Sequence, residues 1–266
     1  MDRYRVEPGS KVRLEDYPTD DTGDFKSREE AEAKMARDIE RLAELQERLY
    51  AENTRALLIV LQAMDTGGKD GTVKTVMSGV NPTGCEVTAF KIPSEEEADH
   101  DFLWRIYSRL PRRGNIGIFN RSHYEDVLVV RVHNYVPPDE WKRRYELINR
   151  FEDLLNDTGT KILKFYLHIS KDEQKRRLEA RLRDADKRWK FSEGDLKERR
   201  LWDQYQEAYE EALSRCSTKQ APWYVIPADK KWYRNYVVAR TIVKTLEKMD
   251  PRPPPSTLDP SKIVIE

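Results

Sequence analysis

The stretch Leu57-LLIVLQAMDTGGKDGTVKTV-Val76 decides the fold. Its first half is apolar at every position to Leu61, too short for a helix and without alternation. That is the pattern of a central strand in a parallel sheet, covered on both faces. A Gly-Gly-Lys turn follows, and then a segment able to form a helix from about Lys69 to near Gly79. Strand, glycine-rich turn and helix in that order form a phosphate-binding loop, whose usual pattern is G-x-x-x-x-G-K-[ST]. Two positions depart from it: Ala63 stands for the first glycine, and Asp70 for the hydroxyl that holds a metal ion. An ordinary glycine-rich strand-to-helix turn is the competing reading.

Working outward, Ser27 and Glu30 open a helix with Met35, Ile39, Leu42, Leu45 and Leu49 along one face. Further strands are expected at 86–92, 115–120, 161–169 and 223–228. Between them come helices over 95–110 (Phe102, Leu103, Ile106, Tyr107 and Leu110 inward) and over 139–157. Alternating strands and helices predict right-handed parallel crossovers and a three-layer α/β domain. The expected organisation is an extended arm over 1–25, the main domain over 26–250 and a proline-rich tail over 251–266.

Lysine plus arginine and aspartate plus glutamate both total 48, and charged residues make up 36% of the 266 residues. A zero balance argues against general binding to nucleic acid or a membrane surface. Cys85 and Cys216 form no disulfide or metal framework. No signal core and no run of about 18 apolar residues occurs, so a soluble, cytoplasmic protein is expected. The apolar face of the helix over 27–50 is a candidate subunit contact in a homo-oligomer. His100, His123, His133 and His168 show no metal spacing, and His168 reads as a hydrogen-bonded core residue. Trp104, Trp141, Trp202, Trp223 and Trp232 read as packing groups.

The loop over 63–71 lies at a strand's carboxyl end and a helix N-terminus, where backbone N–H groups and the helix dipole favour phosphate. Lys69 would reach the phosphates. A carboxylate beside phosphate is repelled unless a divalent cation stands between them, which makes Asp65 the first metal candidate. Asp70 is either a second or a helix cap. Arg121, after the third strand, is placed to neutralise a transferring phosphoryl group, or it pairs with Glu125 or Asp126 on the surface.

Five segments in order, AMDTGGKDGT, FNRSHYEDVLVVRVH, KRWKFSEGD, WDQYQEAYEEAL and APWYVIPADKKWYRN, resemble the polyphosphate kinase 2 family over nearly the whole chain. That family has a thymidylate kinase-like, P-loop kinase fold. The resemblance implies magnesium-dependent (or manganese-dependent), reversible phosphoryl transfer between inorganic polyphosphate and adenine nucleotides. The version FNRSHYEDV further implies the subgroup that accepts both AMP and ADP. The family's loop aspartate, loop lysine and arginine fall on Asp65, Lys69 and Arg121. Many members carry aspartate where this chain has Asn120, so Glu125 is the compensating metal ligand, with Asp70 and Asn120 as further candidates. Asn120, Arg121 and Glu125 form the expected nucleotide side.

The charged region over 171–200 matches the family's lid. Arg177 and Arg181 share a helix face, and Arg181 joins Asp65, Lys69 and Arg121 as a catalytic group. The phosphate-binding set is Gly67, Gly68, Lys69, Gly71, Thr72, Lys74, Arg177, Arg188 and Lys190. Lys91 and Arg131 are further candidates for the polyphosphate path. A solvated charged helix is the alternative for this region. An ATP-dependent nucleoside monophosphate kinase and a non-catalytic polyanion-binding protein are the alternative functions.

Overall fold

A computed structural model describes residues 2–256, 262–263 and 265; part of the proline-rich tail expected over 251–266, residues 257–261, 264 and 266, lies outside them. Among the described residues, five parallel strands form one sheet: β1 (Ala56–Ala63), β2 (Cys85–Ala89), β3 (Ile116–Asn120), β4 (Thr160–His168) and β5 (Trp223–Pro227). Their order is β2-β3-β1-β4-β5, with Leu61 of β1 paired to Asn120 of β3 and Ala63 to Leu167 of β4. Every residue of β1 is buried, as its uninterrupted apolar run requires of the middle strand. The chain leaves β1 toward β2 and leaves β3 toward β4, so the crevice between those departures opens beside Ala63 and Asn120.

The helices are α1 (Arg28–Glu52), α2 (Lys69–Val76), α3 (Glu95–Ala98), α4 (Trp104–Tyr107), α5 (Val129–Val132), α6 (Pro138–Asp157), α7 (Lys171–Arg183), α8 (Glu193–Arg200), α9 (Trp202–Cys216) and α10 (Lys231–Met249). Ser27 caps α1 by accepting from the Glu30 N–H, and Asn53 ends it in the left-handed region at φ 52°. Leu42, Leu45 and Leu49 are buried, and α1 packs on α10, with buried Asp38 held by Arg240 at 2.9 Å. That face is therefore covered within the chain and is not the subunit contact expected of it.

The helix expected over 95–110 is two separate turns. Ser94 and Glu97 form a reciprocal cap on α3, and the Asp101 side chain accepts from Leu103 N–H at 2.9 Å. Short polar side chains bonding to nearby backbone compete with helix continuation. Ile106 is buried as expected, whereas Tyr107 is 48% exposed. The strand expected over 86–92 stops at Ala89, and α2 stops three residues before Gly79.

The segment before α1 contributes Tyr4, Val6, Val12 and Leu14 to the core, and Val6 N–H donates to the Trp223 carbonyl at 2.9 Å. It thereby covers the open edge of β5. Trp141, Trp202 and Trp223 are buried. His168 is buried and hydrogen-bonded to the Leu14 backbone, as expected, while its Nδ1 has no partner; burial lowers its pKa to about 4.

Lys164 interrupts the apolar run of β4 and is fully buried. Its Nζ donates to Glu152 of α6 at 2.5 Å, to the Tyr124 hydroxyl at 2.8 Å and to the Cys216 carbonyl at 2.6 Å. Tyr124 also donates to Glu152, and His123 Nε2 stands 3.2 Å from the same carboxylate. This network pins the turn after β3 to β4, α6 and α9. Removing one member of a buried ion pair strands the other, a loss of about 3–5 kcal/mol. Lys164→Met should lose that much in urea unfolding, and pairing it with Glu152→Leu should recover most of it. A single variant within about 1 kcal/mol of wild type would show that the pair is dispensable.

Candidate active site

The loop leaving β1 folds back at once: Gly67 N–H donates to the Met64 carbonyl at 2.9 Å. Thr66 has φ 62° and Gly68 φ 99°, so the chain turns through the left-handed region twice before α2 begins. Lys69 is the first residue of α2, and its Nζ donates to the Ala63 carbonyl at 3.1 Å. Burial, then the charge of Arg121, lower its pKa, against the pull of Asp65, Glu125 and Asp70.

Opposite it, the turn after β3 places Arg121 at φ 62°, a strained position for a non-glycine residue. Its Nη2 lies 3.3 Å from the Asp65 carboxylate. Burial opposes the Arg121 charge, but Glu125 and Asp65 outweigh it, and its pKa is raised. Asp126, the other partner considered for Arg121, is instead held by Arg144 at 3.0 Å. Glu125 lies behind Lys69 and Arg121; burial raises its pKa despite both cations. Asn120 donates from Nδ2 to Asp70 Oδ1 at 2.5 Å, so Asp70 reaches across the crevice. It does not cap α2, whose N-cap is Gly68.

Asp65, Lys69, Arg121 and Glu125 thus converge, and Asp70 with Asn120 borders them. Gly67, Gly68 and Gly71 line the same groove, as do Arg181, Lys190 and Lys91. Other expected groups are placed differently. Thr72 is buried, and its hydroxyl turns back to the Gly68 carbonyl at 3.1 Å. Arg177 spends its fork on backbone: Nη1 donates to Thr66 and Gly67 carbonyls at 3.0 and 3.1 Å, and Nη2 to Ala228 at 2.5 Å. Its Nε binds Glu173, so it braces the loop from behind and offers no free fork to phosphate. Lys74 is exposed a turn further along α2 and outside the groove lining. Arg188 is exposed and donates to the Leu182 carbonyl. Arg131 is engaged by Glu211 at 2.6 Å.

The groove encloses about 810 Å³ between the loop and α7 and α8. Within it Arg181 stands 3.8 Å from Asp195 of α8. Sequence reasoning missed Arg176, Lys187, Lys231 and Arg234, which also line it. Arg234 sits in the last quoted segment, but no spacing rule connects it to the loop. A second pocket, of about 610 Å³, adjoins the groove and shares Asp65, Phe90, Lys91 and Arg121 with it. Its walls include Ile92, Leu128, Val129, Val136, Tyr205 and Tyr209.

Among the described residues no three His, Cys, Asp or Glu side chains form a ready metal cluster. The donors present are hard carboxylate oxygens facing a cationic groove. That set suits a small divalent cation completed by phosphate oxygens and water, and does not suit a protein-caged one.

Residues 25–254 match the family model described as Polyphosphate kinase 2 (PPK2). The chain is 53% identical, over all of both chains, to an AMP/ADP-polyphosphate phosphotransferase of Meiothermus ruber. It is 45% identical to an ADP-polyphosphate phosphotransferase of Rhodopseudomonas palustris, over 96% of this chain and 92% of that one. The crystal structure of polyphosphate kinase 2 from Arthrobacter aurescens TC1 superposes with a TM-score of 0.93 at 45% identity, over 96% and 92% of the two chains.

The loop's geometry can be tested at its glycines. A Cβ on Gly68 would meet Arg234 Nη1 at 2.0 Å, in a backbone conformation that disfavours side chains, whereas one on Gly71 meets nothing closer than 3.7 Å. Gly68→Ala should cost about 2 kcal/mol or more in thermal or urea unfolding. Gly71→Ala, inside α2, should match or slightly exceed wild type. Equal effects would contradict this loop conformation.

Proposed function

This chain belongs to the polyphosphate kinase 2 family, and we propose that it transfers phosphoryl groups from inorganic polyphosphate to AMP and ADP, forming ADP and ATP. The observation that carries the reading is the pair of cavities meeting at Asp65 and Arg121. The groove is lined by ten basic side chains against five acidic ones, although the chain as a whole is neutral. Such a local excess suits a substrate that is a run of phosphates. The adjoining pocket combines thirteen apolar or aromatic residues with ten polar or charged ones, a mixed lining that suits a nucleoside bearing phosphate. A nucleotide phosphate entering from it would meet the donor beside Arg121. An ATP-dependent kinase would need a second nucleoside site along the groove, yet among the groove's lining residues the one aromatic ring is Phe90, which the adjoining pocket shares.

Both substrates are phosphoanhydrides or phosphate esters, and the bond broken resembles the bond made, which favours reversibility. A loose transition state leaves the protein to position and to neutralise. Lys69 and the loop N–H groups would hold the donor, and Arg121 would face the transferring group. Arg181 would close the lid over both and exclude water. Asp65, with Glu125, would hold Mg²⁺ or Mn²⁺, and Asp70 could contribute from the groove's edge. Bound there, the cation would neutralise phosphate oxygens of donor and acceptor together.

The central experiment supplies AMP, polyphosphate and Mg²⁺ without ATP and follows the nucleotides in time. ADP should accumulate first and ATP later; conversion of ADP alone would restrict the reading to a single step. Asp65→Asn should lower kcat by about a hundredfold or more with an unchanged melting temperature. Near-normal turnover at saturating Mg²⁺ would remove Asp65 from the metal site. Arg181→Ala should raise the KM for polyphosphate, and added salt should mimic it because exposed charges are screened over about 8–10 Å. Unchanged kinetics would leave α7 and α8 as a solvated pair of helices.

A further inference from the structure

Arg234 lies in the first turn of α10, beneath the phosphate loop, and is 2% exposed. Nη1 donates to the Gly67 carbonyl at 3.2 Å, and Nε and Nη2 donate to the side-chain oxygen of Asn235 at 3.1 and 2.8 Å. Every one of these acceptors is neutral. Among the described residues Arg234 forms no ion pair, although a buried arginine is ordinarily matched by a carboxylate.

The surroundings add positive charge. Arg177 donates to the same Gly67 carbonyl from the other side, and Glu173 is already its partner. Lys231 stands three residues before Arg234 on α10, and its pKa is lowered by burial and then by Arg177 and Arg234. Burial, then the charge of Arg177, bring the Arg234 pKa down to about 9. A charge kept under such opposition weakens the empty fold. The space it faces is the groove, which its guanidinium lines together with Gly67 and Gly68.

We propose that Arg234 is a positioning residue for the donor polyphosphate, a cation left unbalanced beneath the phosphate loop so that the substrate supplies its counter-charge. The inference rests on the reading of the groove as the polyphosphate site. It has a consequence that a merely structural arginine would not share: removing the charge should help the empty protein and harm the loaded one. The hydrogen bond to Gly67 fixes the direction of the loop carbonyl, and the charge acts on the phosphates above it.

The test compares wild type, Arg234→Gln, which keeps a donor and loses the charge, and Arg234→Lys, which keeps the charge and loses the fork. Each full-length protein is melted with and without inorganic tripolyphosphate and assayed at saturating ADP with polyphosphate varied. R234Q should melt at or above the wild-type temperature when empty, and should show less than about half of the tripolyphosphate-induced rise. Its KM for polyphosphate should increase roughly tenfold with kcat within about threefold, and R234K should lie closer to wild type. An R234Q protein that melts well below wild type or fails to fold overturns the proposal, because the charge would then support the empty fold. So does an R234Q protein with wild-type KM and wild-type tripolyphosphate response. Wild-type protein that neither uses polyphosphate nor responds to tripolyphosphate would defeat the functional reading itself, and the inference with it.

Discussion

The Gly67 carbonyl is the point on which the site depends. A loop that binds phosphate must aim its N–H groups at the ligand, which leaves its carbonyls facing inward, and a buried carbonyl needs a donor. Here two guanidiniums converge on it, Arg177 from α7 and Arg234 from α10. Arg177 also takes the Thr66 carbonyl and those of Ala228 and Asp229 beyond β5. The loop between β1 and α2 is thereby tied to α7 and to the last helix. Gln174 of α7 adds a bond to the Asp65 carbonyl at 2.9 Å. The first turns of α7 are fixed to the loop, and Arg181, a turn beyond Arg177, projects over the groove from that fixed base.

The same geometry explains how a chain of zero net charge presents a cationic groove. The carboxylates near the reacting centre are each placed against a cation or an amide: Asp65 against Arg121, Asp70 against Asn120, Glu125 behind Lys69 and Arg121. Those along α7 and just beyond it pair with neighbouring cations, Glu173 with Arg176 and Arg177, Asp184 with Lys187. The excess that remains is basic and lies where phosphates would run. Composition reports only the sum, so the asymmetry is visible only once the fold gathers these residues.

Much of this architecture was legible in the chain because burial leaves a pattern. β1 reads as a central strand since both its faces are covered, and α1 and α6 read as helices since each has one apolar stripe. The loop was legible because glycine stands at position 68, where φ is 99°, directly before the lysine that opens α2. The break at 99–103 was not, because Phe102, Leu103 and Ile106 mimic helical spacing while Asp101 bonds locally to end it. Arg177 was placed among phosphate ligands because arginines four apart on a charged helix look alike in sequence. What separates Arg177 from Arg181 is a set of backbone carbonyls more than 40 residues away, and carbonyls carry no sequence signal. Arg234 escaped for the same reason.

The Asn120–Asp70 contact changes how the departure at position 120 should be read. An aspartate there would set two carboxylates against each other across a gap of 2.5 Å, a contact that only an intervening cation relieves. Asparagine closes that gap with a hydrogen bond and leaves Asp70 satisfied without a metal. Asp65 is left with a charged partner, Arg121 at 3.3 Å in a partly buried pair, whereas the Asn120–Asp70 contact is exposed and has a neutral donor. Asp65 and Arg121 line both cavities, so that pair, and not Asp70 with Asn120, stands where the two meet. The loop's second carboxylate and the strand-end amide thus form one unit, and the carboxylate that still faces a full positive charge across the crevice is Asp65.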